Sequence, residues 1–121
     1  MIEIAHLEVS TLYLFKEQTH PGRCVVAYKE HAGGQTDIPE GEWVKFMLDT
    51  RRAVKAIEKA FGPERVNWGA YSDTLDHPHW HLVPKYKDGP EWGGVFAMNP
   101  KETYLTDEEY ASVISKIREA L

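Results

Sequence analysis

The most informative part of this sequence is a stretch of ten residues, His77-Pro78-His79-Trp80-His81-Leu82-Val83-Pro84-Lys85-Tyr86. Three histidines alternate with apolar residues, and alternation is the period of a β-strand, whose successive side chains point to opposite faces. The stretch therefore predicts a strand with His77, His79 and His81 on one face and Pro78, Trp80 and Leu82 on a core face. Because the pKa of histidine lies near neutrality, the histidine side is suited to handling protons or ligands.

The spacing of the three histidines limits what they can bind. Residues two apart on a strand are separated by about 6.6 Å, so the outer pair is roughly 13 Å apart at the backbone. Such a row converges poorly on one metal ion, which would more naturally take two of the imidazoles and a third ligand from elsewhere. A substrate lying along the strand, with His79 at the reacting atom, fits the spacing better. Because acidic residues are not clustered near the triad in the sequence and there is no cysteine cluster, we expect neither a metal ion nor a cofactor.

The stretch resembles the signature of the histidine triad (HIT) family, in which His-x-His-x-His is followed by two apolar residues. Upstream, Val66-Asn67-Trp68-Gly69 resembles the Asn-x-Gly strand that precedes the triad in that family, and Thr74 stands three residues before His77, where Ser or Thr is common. An earlier segment, residues 21–26 with His31 downstream, resembles a family strand that runs from Gly-His to a later histidine. The matched segments span about residues 12–86.

Several positions depart from the family pattern. Arg23 stands where a fourth active-site histidine is common, Asp73 replaces a glutamine, and Lys85 replaces an arginine. The family's acidic ribose-binding residue has no clear counterpart among residues 15–17, which are Phe, Lys and Glu. The triad itself is intact, so these differences concern recognition of the nucleoside.

The resemblance implies a role for each histidine. His79 would attack phosphorus to give a phosphoramidate intermediate, which is nucleophilic catalysis, and a backbone carbonyl would hold its other ring nitrogen. His81 would donate hydrogen bonds to the phosphoryl oxygens or the leaving group, and His77 would orient the site and relay protons.

The same resemblance implies a set of substrate-binding residues. Asn67 and Thr74 can donate neutral hydrogen bonds to a phosphate, and Arg23 can add a charged donor. His31 matches a family position and completes the set. His6 and His20 are expected to be structural.

Length and composition agree with one compact domain over residues 1–121, with a C-terminal loop and helix at 87–121. The chain has 42% hydrophobic and 27% charged residues, ordinary values for a globular protein. There is no signal-peptide pattern and no apolar run long enough to cross a bilayer. Cys24 is the single cysteine and can form neither an internal disulfide nor a cysteine-based zinc site. These features predict a cytoplasmic protein, and the net charge of −5 argues against nucleic-acid binding.

The coarse pattern predicts an α+β fold, which the family resemblance refines to a mainly antiparallel sheet with one long helix and a C-terminal helix. Predicted strands cover residues 12–15, 23–28 and 65–71 in addition to the triad strand, and Pro21-Gly22 suggests a hairpin. Apolar residues at helical spacing predict a helix over 40–61, capped by Thr36 or Asp37 and ended by Gly62-Pro63. Thr106 opens a capping-box pattern before a final helix.

Two function classes remain open. The first is a HIT-like nucleotide hydrolase or nucleotidyl transferase that cleaves a P–N or P–O bond at the α-phosphate of nucleoside phosphoramidates, dinucleoside polyphosphates or adenylylated metabolites. The second is a nucleotide-sensing or interaction module with negligible turnover. A metal-dependent reaction is a distant third. The apolar surface of the long helix, with Trp43, Phe46, Met47 and Leu48 in its first turns, further predicts a homodimer.

Overall fold

A five-stranded antiparallel sheet with two helices forms the computed structural model, which describes all residues from Met1 to Leu121. The strands are β1 (Ile2–His6), β2 (Ser10–Leu14), β3 (Cys24–Tyr28), β4 (Arg65–Gly69) and β5 (His79–Lys85). The helices are α1 (Glu40–Phe61) and α2 (Asp107–Ala120), and a short 3₁₀ helix covers Gln35–Asp37. The strand order is β1-β2-β3-β5-β4, which confirms the predicted α+β fold and leaves β1 and β4 at the edges.

The helices cover one face of the sheet, where the hydrophobic core lies. Helix α1 packs on β2, β3 and β5, and α2 packs on α1 and β1. The core holds alternate residues of the strands together with the apolar stripe of α1, and its fully buried members include Leu12, Val26, Phe46, Ile57 and Leu82. The alternation that the sequence showed around Leu82 thus places one side of β5 in this core.

The opposite side of the sheet carries the histidines. His81 pairs with Val25 and His79 with Ala27, and residues directly opposite each other on neighbouring strands share a face. Val83 follows on the same side. We call this side, defined by Val25, Ala27, His79, His81 and Val83, the histidine face. It is covered only in part, by the irregular segment between β5 and α2.

The ends of both helices follow from local sequence. Gly62 adopts the left-handed conformation (φ 61°) that commonly ends helices, so α1 ends where the sequence predicted. The predicted cap of α1 is wrong: Thr36 and Asp37 lie in or beside the 3₁₀ helix, and Pro39 precedes the first turn without a side-chain cap. At α2 the predicted capping box is present, since Thr106 accepts from the Glu109 amide and Glu109 accepts in return.

Three strand predictions need correction. Strand β1 was not predicted, because its alternation is short and weakly apolar. The strand predicted over 65–71 ends at Gly69, and the triad strand begins at His79, so His77 lies just before it.

The hairpin between β2 and β3 is confirmed by their antiparallel pairing. Its loop depends on Gly22, whose φ of 90° suits glycine and whose added Cβ would lie 2.9 Å from the Phe61 ring.

No helix of this structure combines the length and the apolar composition needed to span a membrane.

Candidate active site

A cavity of about 760 Å³ opens on the histidine face. All three triad histidines line it, although His77 reaches it from the loop rather than from β5. Its walls are mostly apolar and aromatic, with Tyr13 and Phe15 from β2 and its end, and Tyr71 and Leu75 from the β4–β5 connection. A concave, largely apolar cavity with a few convergent polar groups is the usual form of a small-molecule site.

His79 has a ring geometry that leaves one nitrogen free. Its Nδ1 lies 2.8 Å from the backbone oxygen of His77. A carbonyl oxygen only accepts hydrogen bonds, so Nδ1 carries a proton, and in the neutral ring Nε2 keeps its lone pair. The contact with a backbone carbonyl is the one expected for a nucleophilic histidine. His79 is 9% exposed, so its ring is accessible only from the cavity.

His81 is packed beside His79, with the two ring centroids 5.1 Å apart. Burial, followed by the nearby charge of Arg23 and by His79, lowers the pKa of His81 to about 4. The ring is therefore neutral at physiological pH. Phe15 and Tyr71 contact it edge-on, with centroid distances of 5.9 and 6.1 Å.

His77 and His31 form a second pair of imidazoles at the end of the row. The Nε2 of His77 donates to the backbone oxygen of Tyr28, which ties the β4–β5 connection to the end of β3. His31 lies 5.4 Å from His77 between ring centroids, and its Nδ1 is 3.3 Å from the backbone oxygen of Asp76. His31 is exposed and does not line the cavity, so it contacts the site through His77.

The remaining substrate-binding candidates are placed differently from one another. Thr74 lines the cavity beside Asp73. Asn67 pairs with Val83 in β4 and shares the histidine face, but it does not line the cavity. The structure thus brings Thr74 together with the triad. Asn67 lies outside the cavity, two residues before Gly69 along β4.

Arg23 lies behind His81 rather than in the cavity. The residue is fully buried, and its guanidinium donates to the backbone oxygens of Ala97 at 3.0 Å and Met98 at 2.9 Å. It lies over the Phe15 ring, with Cζ 4.0 Å from the centroid, and within 3.3 Å of Nδ1 of His81. In this position Arg23 is buried beside His81 and does not line the cavity, so a direct contact with phosphate stays a prediction.

The segment after β5 lies over part of the histidine face and is held by the buried Lys85 and the exposed Glu91. Lys85 is buried and donates to the backbone oxygens of Glu91 at 2.6 Å and Gly94 at 2.8 Å. The Glu91 carboxylate accepts from the Ala97 amide and contacts Nε2 of the buried His20 at 2.7 Å. This network fixes the two carbonyl groups that Arg23 binds.

The missing side chain of Gly69 leaves room for the Tyr71 and Phe96 rings to contact His81. It pairs with His81 across β4 and β5. A Cβ at this position would lie 2.8 Å from the Tyr71 ring and 2.9 Å from the Phe96 ring. The glycine of the Asn67-Trp68-Gly69 sequence is thus explained by the two rings that pack above it.

Several cavity residues were not predicted from the sequence. Tyr13 and Phe15 alternate along β2 on the same side as the histidines, so strand alternation could have identified them once the sheet order was known. Tyr71, Leu75 and Met98 belong to irregular segments and gave no periodic signal. No group of three or more His, Cys, Asp or Glu side chains is arranged to hold a metal ion.

Comparison with known proteins supports the same family that the triad resembles. The chain is 28% identical to the adenosine 5'-monophosphoramidase of Schizosaccharomyces pombe, over 93% of this chain and 88% of that protein. The histidine triad protein of Sinorhizobium meliloti superposes with a TM-score of 0.91 at 20% identity, covering 99% of this chain and 89% of that one. No family model matches the sequence.

A second solved structure agrees with the first. The histidine triad protein of Marinobacter aquaeolei has a TM-score of 0.89 at 18% identity, covering 98% of this chain and 87% of its own. At these identities the structural matches establish the fold, and the intact His77-x-His79-x-His81 sequence on that fold adds the family's signature. The chain thus has the fold of the histidine triad proteins, and the comparisons support its placement in that family.

Proposed function

We propose that this protein is a nucleotide hydrolase or nucleotidyl transferase that cleaves a P–N or P–O bond at an α-phosphate through a covalent intermediate on His79. The observation that carries the proposal is the contact of His79 Nδ1 with the His77 carbonyl, which in the neutral ring leaves Nε2 as the unprotonated nitrogen of a histidine that lines the cavity. An unprotonated imidazole nitrogen is a nucleophile that needs no further base.

The reaction has two balanced steps. The lone pair of His79 Nε2 forms a bond to phosphorus, and the bond from phosphorus to the leaving amine, phosphate oxygen or carboxylate oxygen breaks; a leaving amine takes up a proton from water, which leaves hydroxide. A water molecule then attacks phosphorus and gives up a proton to that hydroxide or to solvent, the electron pair of the P–N bond returns to His79 Nε2, and the nucleoside monophosphate leaves. In a transfer reaction an acceptor hydroxyl or phosphate replaces the water. His81 and Thr74 donate hydrogen bonds to the phosphoryl oxygens in both steps.

The relative and the cavity support an order in which to test substrate classes. The relative from S. pombe is an adenosine 5'-monophosphoramidase, and we propose nucleoside phosphoramidates as the first substrates to test, before dinucleoside polyphosphates and adenylylated metabolites. The apolar walls formed by Tyr13, Phe15 and Leu75 favour a flat, weakly polar group such as a base. The proposal requires no metal ion and no cofactor.

A trapping experiment tests the covalent step. Purified protein is mixed with adenosine 5'-phosphoramidate, quenched within one turnover and digested, and the peptide containing residues 77–85 is examined by mass spectrometry. We expect an acid-labile adenylyl group on His79. Binding of nucleotide without adduct or product would support the nucleotide-sensing module instead.

The assembly we propose is a homodimer formed through β4 and the outer surface of α1. Strand β4 is an edge strand, and an unpaired edge is a site for strand addition. Trp68 is 38% exposed on it, and Val44 and Leu48 are exposed on the neighbouring helix, whereas Phe46 belongs to the core. Light scattering should give twice the 13.9 kDa mass of one chain. A stable species of single-chain mass would contradict the dimer.

The proposal also covers the extent of the domain, its cellular location and its ligand class. We propose that residues 1–121 act as one domain in the cytoplasm on small nucleotides. The net charge of −5 disfavours binding to nucleic acid.

A further inference from the structure

We propose that Arg23 is a positioning residue that holds His81 as a neutral imidazole with its proton on Nε2, so that His81 presents a hydrogen-bond donor to the cavity. The catalytic consequence rests on the proposed function, but the state of the His81 ring can be measured without it. Arg23 stands where the family commonly has a histidine, so this contact belongs to the present chain's own sequence.

The argument begins with the atoms that face each other. The nearest guanidinium nitrogen of Arg23 is 3.3 Å from Nδ1 of His81. A guanidinium has only donors and remains protonated in proteins. Nδ1 of His81 must therefore accept, which requires its lone pair, and the proton of the neutral ring must be on Nε2.

His79 is held in the other tautomer, with its proton on Nδ1. Its Nδ1 faces the carbonyl oxygen of His77 and must donate. The two neighbouring rings, 5.1 Å apart, thus present different groups to the cavity: a lone pair on Nε2 of His79 and an N–H on Nε2 of His81. A nucleophile next to a donor is the arrangement that displacement at a phosphoryl group requires.

Arg23 itself has little freedom to move. Its two terminal nitrogens donate to the carbonyls of Ala97 and Met98, and its plane lies between the Phe15 and Phe96 rings, at 4.0 and 5.1 Å from their centroids. A planar group fixed at two carbonyls and stacked on two faces has a defined orientation. It therefore fixes the plane of the His81 ring as well as its tautomer.

The positive charge of Arg23 favours the same neutral state of His81 that the hydrogen-bond geometry indicates. Burial is the first cause that lowers the pKa of His81, and the positive charge of Arg23 is the second, with His79 third. The acidic groups that stabilise Arg23 are Glu17 and Glu91, and Tyr71 is the further titratable group near it. Both carboxylates have a lowered pKa, so Arg23 faces charged partners across the physiological range.

The first experiment uses the unmodified protein. Long-range ¹⁵N–¹H correlation spectra of the imidazole nitrogens are recorded from pH 5 to pH 8. We expect the protonated nitrogen to be Nε2 in His81 and Nδ1 in His79, with His81 remaining neutral throughout. A proton on Nδ1 of His81, or an imidazolium above pH 6, would overturn the proposal whatever the protein's activity.

The second experiment separates positioning from packing. Arg23→Met removes the charge and the donors, whereas Arg23→Lys keeps the charge. We expect Arg23→Met to lower kcat about tenfold to a hundredfold through misplacement of His81 and to raise the pKa of His81, which moves the acid limb of the pH profile to higher pH. Arg23→Lys should shift that limb less.

Arg118→Met is the matched control, because Arg118 also donates to a backbone oxygen, that of Ile4, at 2.6 Å on the helix side. The control should leave the pH profile unchanged. Equal shifts in Arg23→Met and Arg118→Met, or none in either, would show that Arg23 has only a packing role. If Arg23→Met does not fold, the comparison of Arg23→Lys with the spectra of the unmodified protein decides the question.

Discussion

The two faces of the sheet are held by different kinds of contact. On the helix side, aliphatic residues of β2, β3 and β5 meet the apolar stripe of α1, and burial of apolar area holds them together. On the histidine face, an irregular segment is attached by Arg23, Lys85 and Glu91, whose charges are bonded to backbone groups. Apolar packing tolerates some rearrangement of side chains. Hydrogen bonds from charged groups to the backbone require defined atomic positions, and a catalytic site needs its residues held in such defined positions.

The nucleophile provides the sharpest test of this division. His79→Ala should lower turnover of an adenosine phosphoramidate by at least about 10⁴-fold, because the group that forms the new bond has no substitute. The free energy of unfolding should stay close to the original value, since the side chain faces the cavity and not the core. Steady-state rates and urea unfolding check both parts.

His6→Ala is the matched control, since His6 is exposed on β1 away from the cavity. It should alter neither rate nor stability. Near-original activity in a folded His79→Ala protein would contradict the mechanism.

The helix side should show the reverse response. Ile57→Ala removes a fully buried side chain of α1 and should lower the free energy of unfolding by about 2–5 kcal/mol, through lost burial and the cavity left behind. The rate per folded molecule should change little. Chemical denaturation followed by tryptophan fluorescence, with activity measured in parallel, gives both values. A large loss of rate in fully folded protein would show that the two faces are coupled.

A substitution at Gly69 tests whether the Tyr71 and Phe96 rings constrain the histidine face. An added Cβ would collide with Tyr71 and Phe96, so Gly69→Ala should lower the free energy of unfolding by about 1–3 kcal/mol, as overpacking does. It should also lower kcat, because both rings contact His81. Gly34→Ala is the control, since nothing lies within 4 Å of the added carbon. If both variants behave alike, the rings do not constrain the site.

The segment between β5 and α2 is also bound by Glu17, which accepts from the amides of Glu102 and Thr103, and this contact should respond to pH. Burial alone would raise the pKa of Glu17, but hydrogen bonds from Thr19, Thr103 and Glu102 outweigh it and lower the pKa to about 2. The carboxylate therefore stabilises the folded state above its ordinary pKa of 4.5 and loses this contribution as the pH falls towards 2.

Unfolding measured between pH 6 and pH 2 should show this loss in the unmodified protein and a flatter curve in Glu17→Gln. Curves of equal slope would exclude Glu17 as the group responsible.

The smallest expected effect is that of a chelator. EDTA should leave the rate unchanged, because the proposed steps use imidazole and hydroxyl donors in place of a cation. Asp73 and Asp76 are the carboxylates nearest to the triad in the sequence. Loss of activity on chelation, restored by a divalent ion, would contradict this prediction and point to those two residues.

The division between the faces also explains what could be predicted from the sequence. Helix α1 was predicted with its bounds, since apolar spacing marks its buried side and Gly62 marks its end. The triad was recognised because its alternation is unusual. The edge strand β1 was missed because five residues with a weakly apolar pattern give little signal.

The supporting residues of the site were beyond such reasoning for a physical reason. Arg23 was noticed but assigned to the substrate, because sequence spacing does not show which carbonyl groups fold back over a side chain. Lys85 likewise gave no sign that it would be buried against the carbonyls of Glu91 and Gly94. Contacts between a side chain and a distant irregular backbone leave no period in the sequence.

Strand β5 is paired on both sides, with β3 and β4, and lies under α1. Amides in such a position open to solvent only when the whole molecule unfolds, so native-state hydrogen exchange should find β5 among the slowest segments. His79 and His81 then belong to the part of the chain that opens last on heating. Thermal inactivation should follow global melting closely, without an earlier local loss of the two imidazoles.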